Sequence, residues 1–329
     1  PTGTSFDNDP FNDGHHYLGW VWPAGFRMAQ AHKRVAAAVE KGNVTKEDMM
    51  AAQADHHSNL GARLRQPLLD AMGDTADLAG PVKAAVEALV AWNLMAVSGV
   101  DGDGSAQDAG ATSVMNVYTT FLVQRALADE GIAPTDAVLV RLLLRMIESP
   151  ETMVTWDADA EQSKLWDDRA TDDKVERADE IMRAALEDAV AWLQERFESD
   201  KPEDWTWGML HTLRLRHNLL PNYDIPPSDE WANGFPRHGD MFSVDASHPG
   251  MKGQDFAYSH GPAIRHVMSM VDPVERHGMV PGGQNEDPRE PHYRDQMDHW
   301  VKNEAPMVPM TTDDVLDAMQ RIEDYHPPG

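Results

Sequence analysis

Residues 234–247 read GFPRHGDMFSVDAS, and within this stretch residues 240–247 alternate polar and apolar side chains in the manner of a β-strand. A second short β-like run, AIRHVMSMV at 263–271, is bounded by Gly261-Pro262 and Asp272-Pro273, which are turn-forming pairs. The chain before residue 221 shows helical periodicity instead. Helices followed by strands predict an α+β fold, although the visible strands are too few for a self-contained sheet.

Helix formers and helix boundary signals recur along the chain. Gly42 and Gly131 are placed to end helices, and Thr45 is placed to start one with an acidic first turn. The predicted helices span 28–42, 46–64, 81–95, 113–131, 174–198 and 311–322. The segments 101–110 and 274–296 are predicted to be long loops.

Charge limits the possible partners. The chain has 329 residues, 55 acidic and 28 basic, for a formal net charge of −27. This excess of carboxylates excludes nucleic-acid binding through a basic footprint. It suggests either adaptation to a salt-rich habitat or an ordinary acidic protein. Cysteine is absent, which excludes disulfides, thiolate metal sites and a cysteine nucleophile but leaves the compartment open.

Common targeting and enzyme signatures are missing from the sequence. It has no apolar run of membrane-spanning length, no signal peptide, and none of the usual nucleotide-binding, zinc-protease or serine-hydrolase motifs. Its start, PTGTSF, suggests a processed or trimmed end. The pairs His15-His16 and His56-His57 are predicted to face solvent or a second layer rather than a metal, because adjacent helical residues point about 100° apart.

Five segments together resemble one family, the penicillin acylases, which are N-terminal nucleophile amide hydrolases. In the family's order they are DNDPFNDGHHYLGWVWPAGFR (7–27), TKEDMMAAQADHHSNLGARLRQPLL (45–69), WTWGMLHTLRLRH (205–217), GFPRHGDMFSVDAS (234–247) and SHGPAIRHVMSM (259–270) with the following VPGGQNEDPREPHYRDQMDHWVKNE (280–304). The five segments extend over essentially the whole chain. Together they resemble only the C-terminal part of the family's large β chain.

The resemblance implies part of a four-layer αββα fold with a large helical lobe. It divides the chain into an active-site loop segment at 1–27, a mainly helical lobe at 28–220, and C-terminal strands, long loops and a terminal helix at 221–329. It also implies partner segments outside this chain, namely an α chain and the N-terminal part of the β chain, joined before autoproteolytic processing of a zymogen.

The implied chemistry is attack by an N-terminal Ser that also supplies its own α-amine as general base. Pro1 has no such nucleophile, so that Ser is expected outside this chain. The family stabilises the oxyanion partly with an Asn side chain, three residues before a Pro; counting back from Pro10 gives Asp7, and Asn8 follows it. Either Asn8 donates through a local loop shift, or buried Asp7 is neutral, or the site is altered, or the segment is only an Asx turn.

Other site residues follow from the same resemblance. Arg27 corresponds to an Arg beside the catalytic Asn, where it would stabilise negative charge, hold the loop, or form a structural ion pair. Trp20, Trp22 and Phe26 are expected to wall an apolar acyl pocket or to be core. Asp13 is the single carboxylate near a family calcium ligand, and calcium needs six or more oxygens.

Arg265 and residues 282–293 are expected to be scaffold, with no catalytic role. The implied function is hydrolysis of an acyl–amine amide, such as a β-lactam side chain or an N-acyl-homoserine lactone, in an extracytoplasmic compartment and without a cofactor for the chemistry. Two alternatives stay open: a non-catalytic structural or binding protein that retains the scaffold with an altered site, and a free-standing acidic helical protein.

Overall fold

The computed structural model describes residues 25–131, 137–171, 174–217, 223–225, 234–250 and 253–319. Its helices are α1 (Phe26–Glu40), α2 (Lys46–Gln53), α3 (Asn59–Met72), α4 (Gly80–Ala91), α5 (Ala106–Leu127), α6 (Ala137–Glu148), α7 (Ala178–Phe197), α8 (Trp207–Leu210), α9 (Met297–Val301) and α10 (Thr312–Ala318). Its strands are β1 (Trp156–Asp157), β2 (Gln162–Ser163), β3 (Thr212–Leu213), β4 (Phe235–Pro236), β5 (Arg265–Ser269), β6 (Glu275–Met279) and β7 (Met307–Val308). The predicted α+β class is confirmed.

Helix α5 is the centre of the helical lobe. It is buried on nearly all faces, which explains why its sequence shows almost no amphipathic stripe. Helix α7 packs along it, while α3, α4 and α6 surround it. Gly110 allows a close approach, because a Cβ at that position would lie 1.9 Å from the Pro202 carbonyl oxygen.

The single helix predicted over 46–64 is wrong, since the chain leaves the helix after Gln53 and starts a new one at Asn59. The Asp55 carboxylate accepts the His57 backbone N–H at 2.8 Å, and the Ser58 hydroxyl accepts the Gly61 N–H at 2.9 Å as the N-cap of α3. His57 also pairs with Met95 in an isolated antiparallel bridge. These side-chain and distant backbone bonds compete successfully with helix continuation.

The described strands form three small antiparallel sheets. Strands β5, β6 and β7 form the largest, with Arg265 opposite Met279 and Arg276 opposite Val308. Strand β5 confirms the strand predicted within 263–271. Strand β6 lies inside 274–296, so the prediction of an unbroken loop there is wrong.

The strand predicted at 240–247 is also wrong, because this segment is an irregular turn. Its polar side chains are as deeply buried as its apolar ones: Asp240, Ser243 and Asp245 are all fully buried, as are most of their neighbours. Alternation in sequence therefore does not correspond to alternation between core and solvent, and the polar groups find partners inside the protein.

The remaining helix predictions are confirmed with shifted ends. Helix α5 begins at Ala106 rather than 113, α4 ends at Ala91, and α10 is capped by the Thr311 hydroxyl. Within the described ranges, no helix has both the length and the apolar character needed to cross a membrane.

Candidate functional site

Arg27 lies in the first turn of α1 and is fixed to the turn at 240–247. Its Nε donates a 2.7 Å hydrogen bond to the Ser243 carbonyl oxygen. Burial of the guanidinium lowers the pKa of Arg27, whereas the nearby carboxylates of Asp245 and Asp240 raise it. A guanidinium of this kind stays charged, so Arg27 is a cation held beside a buried acidic turn.

Phe26 contacts the same turn from the adjacent position. Its ring packs edge-to-face on Phe242, with 4.9 Å between centroids, and the Arg63 guanidinium lies over the ring at 4.3 Å. The structure thus brings Phe26 and Arg27 together on one segment, 240–247, as two residues of the predicted site.

The other predicted site residues cannot be placed in this way. Asp7, Asn8, Asp13, Trp20 and Trp22 lie outside the described residues. Their roles stay predictions, and so do those of Phe26 and Arg27.

Asp240 organises the turn that contacts Arg27. Its fully buried carboxylate accepts hydrogen bonds from the Ser58 hydroxyl, from the Phe242 N–H at 3.3 Å and from the Ser243 hydroxyl at 3.1 Å. Burial raises the pKa of Asp240, while the hydrogen bonds and the charge of Arg27 counteract this shift. These contacts fix the backbone at Ser243, whose carbonyl accepts from Arg27.

Asp245 is the centre of a buried ionic cluster. Its carboxylate accepts hydrogen bonds from Arg237 at 3.0 Å, from Asn303 at 2.9 Å and from Arg265. Both guanidinium groups also lie against the Trp300 ring, at 5.0 and 4.8 Å from its centroid. Burial alone would raise the pKa of Asp245, but His238 and the two arginines hold it far below its usual range. The buried position of Arg265 agrees with its predicted scaffold role.

His238 extends this cluster to the loop before α5. Its Nε2 lies 2.8 Å from the Asp245 carboxylate, and its Nδ1 lies 3.5 Å from that of Asp103. Burial would raise the pKa of Asp103, but His238 and the Ser98 N–H lower it overall. The His56 ring packs on His238, with 4.6 Å between centroids, and burial followed by the charge of His238 lowers the pKa of His56.

His211 lies within the WTWGMLHTLRLRH segment and is fully buried. Its ring is stacked between Trp207 and Tyr258, with centroid distances of 4.9 and 4.6 Å. Its two nitrogens lie 3.0 and 2.9 Å from the carbonyl oxygens of Arg237 and Ser247. Burial lowers the pKa of His211 to about 3. A neutral ring can donate from only one of its nitrogens, so one of these two carbonyl oxygens accepts a hydrogen bond from His211.

The sequence did not indicate Asp240, Asp245 or His238 as part of the arrangement. The only signal in the sequence was the high density of polar residues in segment 240–247. In the structure these residues are buried hydrogen-bonding groups. Among the described residues, no group of three or more His, Asp or Glu side chains is arranged to hold a metal ion.

The geometry can be compared with known proteins. The family model for penicillin amidase matches residues 4–317, which is nearly the whole chain. This chain belongs to the penicillin amidase family. The matched residues include most of the predicted loop segment, the helical lobe and the buried 237–247 segment.

Two curated relatives are similar to this chain in sequence. The chain is 27% identical over 311 residues to the acyl-homoserine lactone acylase QuiP of Pseudomonas aeruginosa, covering 86% of this chain and 34% of that protein. It is 25% identical over 313 residues to QuiP of Pseudomonas fluorescens, covering 84% and 33%. The chain thus spans about a third of the length of the curated relatives it matches.

A solved structure shows the fold. A thermostable penicillin G acylase from Alcaligenes faecalis superposes with a TM-score of 0.51 at 17% sequence identity, covering 99% of this chain and 56% of that one. The chain therefore has the fold of part of this penicillin G acylase, which confirms the predicted fold class.

Proposed function

We propose that this chain is the C-terminal β-chain portion of an acylase that hydrolyses the amide bond between an acyl group and an amine. The observation that carries the proposal is the family match over residues 4–317, together with the contact of Arg27 and Phe26 with one buried turn. The nucleophile is an N-terminal Ser in a segment outside this chain, released by autoproteolytic processing of a zymogen.

The chain's own contribution to the chemistry is electrostatic. Attack on the amide carbonyl builds an oxyanion, and a preorganised donor next to it lowers the barrier. The Asn8 side-chain amide is the proposed donor, because an ionised Asp7 offers no proton and would repel the oxyanion. Arg27 supplies positive charge nearby, held in position by the Ser243 carbonyl.

The substrate class is an N-acyl amine of the kind named by the relatives, such as an N-acyl-homoserine lactone or a penicillin side-chain amide. Phe26, Trp20 and Trp22 would form the apolar wall for the acyl group. The partners are the remaining acylase segments, and the compartment is extracytoplasmic. A structural calcium would be held mainly by residues of those other segments, with Asp13 as the contribution from this chain.

The test uses the full-length gene product and chromogenic phenylacetyl and long-chain acyl amides. Hydrolysis is expected, with loss of activity in Asn8→Ala and retention in Asp7→Ala. The reverse pattern would assign the donor to Asp7. A copurifying second polypeptide that starts with Ser, Thr or Cys supports the processing step.

A second candidate function is a non-catalytic structural or binding protein on the same scaffold. It is favoured by one observation, the acidic Asp7 at the position counted back from Pro10 as the catalytic Asn. In that case the purified full-length protein hydrolyses none of the amides, and Asn8→Ala changes nothing in any assay of activity.

A further inference from the structure

Asp55 lies in the link between α2 and α3, where it is buried with 2% of its surface exposed. Its Oδ2 accepts a hydrogen bond from Gln30 Nε2 at 2.8 Å and forms an ion pair with Arg34 Nε at 2.8 Å. Its Oδ1 accepts the His57 backbone N–H at 2.8 Å. Both oxygens of the carboxylate are therefore engaged, and Gln30 and Arg34 belong to α1.

The backbone of Asp55 contacts the turn at 240–247. Its carbonyl oxygen accepts the Asp245 N–H at 2.9 Å. The same turn supplies the Ser243 carbonyl oxygen, which accepts from Arg27 Nε at 2.7 Å. Asp55 therefore holds both partners of the bond between Arg27 and Ser243, because its side chain binds α1 and its backbone binds the turn.

Helix α1 depends on these polar contacts for its position. Within α1, every residue of which the structure describes, Gln30 and Ala38 are the buried residues, so little apolar burial fixes the helix. Arg27, Gln30 and Arg34 are spaced by three and four residues, which places their side chains on one face of α1. The bonds to Asp55 therefore determine how this face, with the Arg27 guanidinium, lies against the turn.

We propose that Asp55 is a positioning residue for Arg27 in amide hydrolysis. The inference rests on the proposed function, in which Arg27 supplies positive charge near the oxyanion. Because the oxyanion is absent from the bound substrate and forms during the reaction, a displaced Arg27 lowers kcat and leaves KM nearly unchanged. Asp55 acts on this step through α1 and the turn.

The test measures kcat and KM of the full-length gene product with a chromogenic phenylacetyl amide. Asp55→Asn keeps the size of the side chain and removes its charge. It is expected to lower kcat about tenfold with little change in KM, since a displacement of about 1 Å can cost about a hundredfold in rate. A rise in KM with unchanged kcat would overturn the inference.

The matched control is Ser113→Ala. It removes a buried hydrogen bond of 2.7 Å to the Trp205 carbonyl oxygen, a bond that involves neither α1 nor the turn at 240–247. This variant is expected to lose stability and to keep its kcat. Equal losses of kcat in Ser113→Ala and Asp55→Asn would mean that any buried hydrogen bond has this effect, and would refute a positioning role for Asp55.

A double variant separates positioning from a general loss of structure. In an Arg27→Ala background, Asp55→Asn is expected to lower kcat hardly any further, because the group that Asp55 positions is already absent. A merely structural role would lower kcat by the same factor in both backgrounds. That result would contradict the inference.

The same two bonds are also removed from the side of α1. Gln30→Ala/Arg34→Gln leaves Asp55 and its bonds to His57 and Asp245 in place. It is expected to reproduce the loss of kcat in Asp55→Asn, again with hardly any further loss in the Arg27→Ala background. This variant decides the question if Asp55→Asn does not fold, and an unchanged kcat would count against the inference.

A measurement without catalysis separates the inference from the proposed function. In full-length protein with isotope-labelled arginine, the Nε–H signal of Arg27 in NMR spectra is identified by its loss in Arg27→Lys. Because Ser243 accepts this proton, its exchange with water is expected to be slow, severalfold faster in Asp55→Asn and unchanged in Ser113→Ala. Equal exchange in Asp55→Asn and the unsubstituted protein would overturn the inference. If no amide is hydrolysed, the proposed function fails, and this exchange rate still decides whether Asp55 positions Arg27.

Discussion

The Ser58 hydroxyl donates a hydrogen bond to the Asp240 carboxylate, joining residues 182 positions apart in the sequence. The same hydroxyl accepts the Gly61 N–H and so caps α3. The Ser58 hydroxyl therefore caps α3 of the helical lobe. It also donates to the Asp240 carboxylate, which fixes the turn that contacts Arg27. The Ser58 side chain therefore couples the helical lobe to the candidate site.

Replacing Ser58 by Ala is expected to destabilise the protein by about 2–3 kcal/mol. Loss of a helix cap costs about 1 kcal/mol, and a buried carboxylate that loses a donor adds about 1–2 kcal/mol. The matched control is Ser105→Ala, which removes the exposed cap of α5 and is expected to cost about 1 kcal/mol. Urea unfolding of the two variants is compared, and equal losses would contradict the coupling.

Asp245→Ala is expected to destabilise the protein by about 3–5 kcal/mol, because it leaves two buried guanidinium groups without their counterion. Thermal or urea unfolding measures the effect. The control is Asp287→Ala, which breaks an exposed ion pair with Arg289 and is expected to leave the unfolding midpoint nearly unchanged. Similar midpoints for the two variants would mean that the Asp245 cluster adds nothing to stability.

Gly110→Ala is expected to cost about 3 kcal/mol, since the added methyl group meets the Pro202 backbone oxygen and forces α5 away from its neighbour. Gly278→Ala is the control, because a Cβ there has its nearest contact at 3.4 Å. Differential scanning calorimetry compares the two melting temperatures. A Gly110→Ala protein as stable as Gly278→Ala would disprove this close packing.

Stability is expected to fall as the pH drops below about 6.5, the value at which histidine titrates in an unfolded chain. Burial lowers the pKa of His211 to about 3 and also lowers those of His56 and His57. The three histidines therefore bind protons more tightly in the unfolded state than in the folded state. Their stabilising contribution to folding is complete above the unfolded pKa and is lost on acidification.

A second loss is expected below about pH 4, where the carboxylates of an unfolded chain take up protons. Asp103 and Asp245 have lowered pKa values in the folded state. Their ionised carboxylates therefore raise the free energy of unfolding above that pH, and this stabilisation is lost below it. Asp240 has a raised pKa and acts in the opposite direction. Urea unfolding between pH 8 and 3 measures the slope, and a His211→Gln variant should show a smaller slope between pH 6.5 and 4.

The net charge of −27 predicts a salt-dependent melting temperature. Repulsion between surface carboxylates is screened beyond about 10 Å at 0.1 M salt and beyond about 3 Å at 1 M, so melting is expected to rise with KCl. Sucrose at matched osmolality is the control for general exclusion effects. A rise in sucrose as large as that in KCl would argue against an electrostatic origin.

The sequence predicted most of the long helices because their signals are local, but it did not indicate α6, α8 or α9. The periodicity of α7, the glycine after α1 and the Thr311 cap of α10 each act within a few residues. The break between α2 and α3 was missed because it depends on Asp55, Ser58 and a bridge to Met95.

The site was predictable only where residues matched a family pattern. Arg27 and Phe26 were predicted in this way, and their roles stay predictions. The turn at 240–247 was mistaken for a strand because its polar residues bind partners from α1, α3, β5 and residue 303, none of which local alternation can indicate. The order of polar and apolar residues does not distinguish a solvated strand face from a buried polar turn.

The bond from Arg27 to Ser243 closes a loop of 216 residues. A contact between residues so far apart in sequence costs much chain entropy, so it forms late in folding, after the local helices. During synthesis, the start of α1 can therefore dock onto Ser243 only after almost the whole helical lobe has been made. A refolding experiment should accordingly recover helical circular dichroism well before it recovers any property that depends on Arg27.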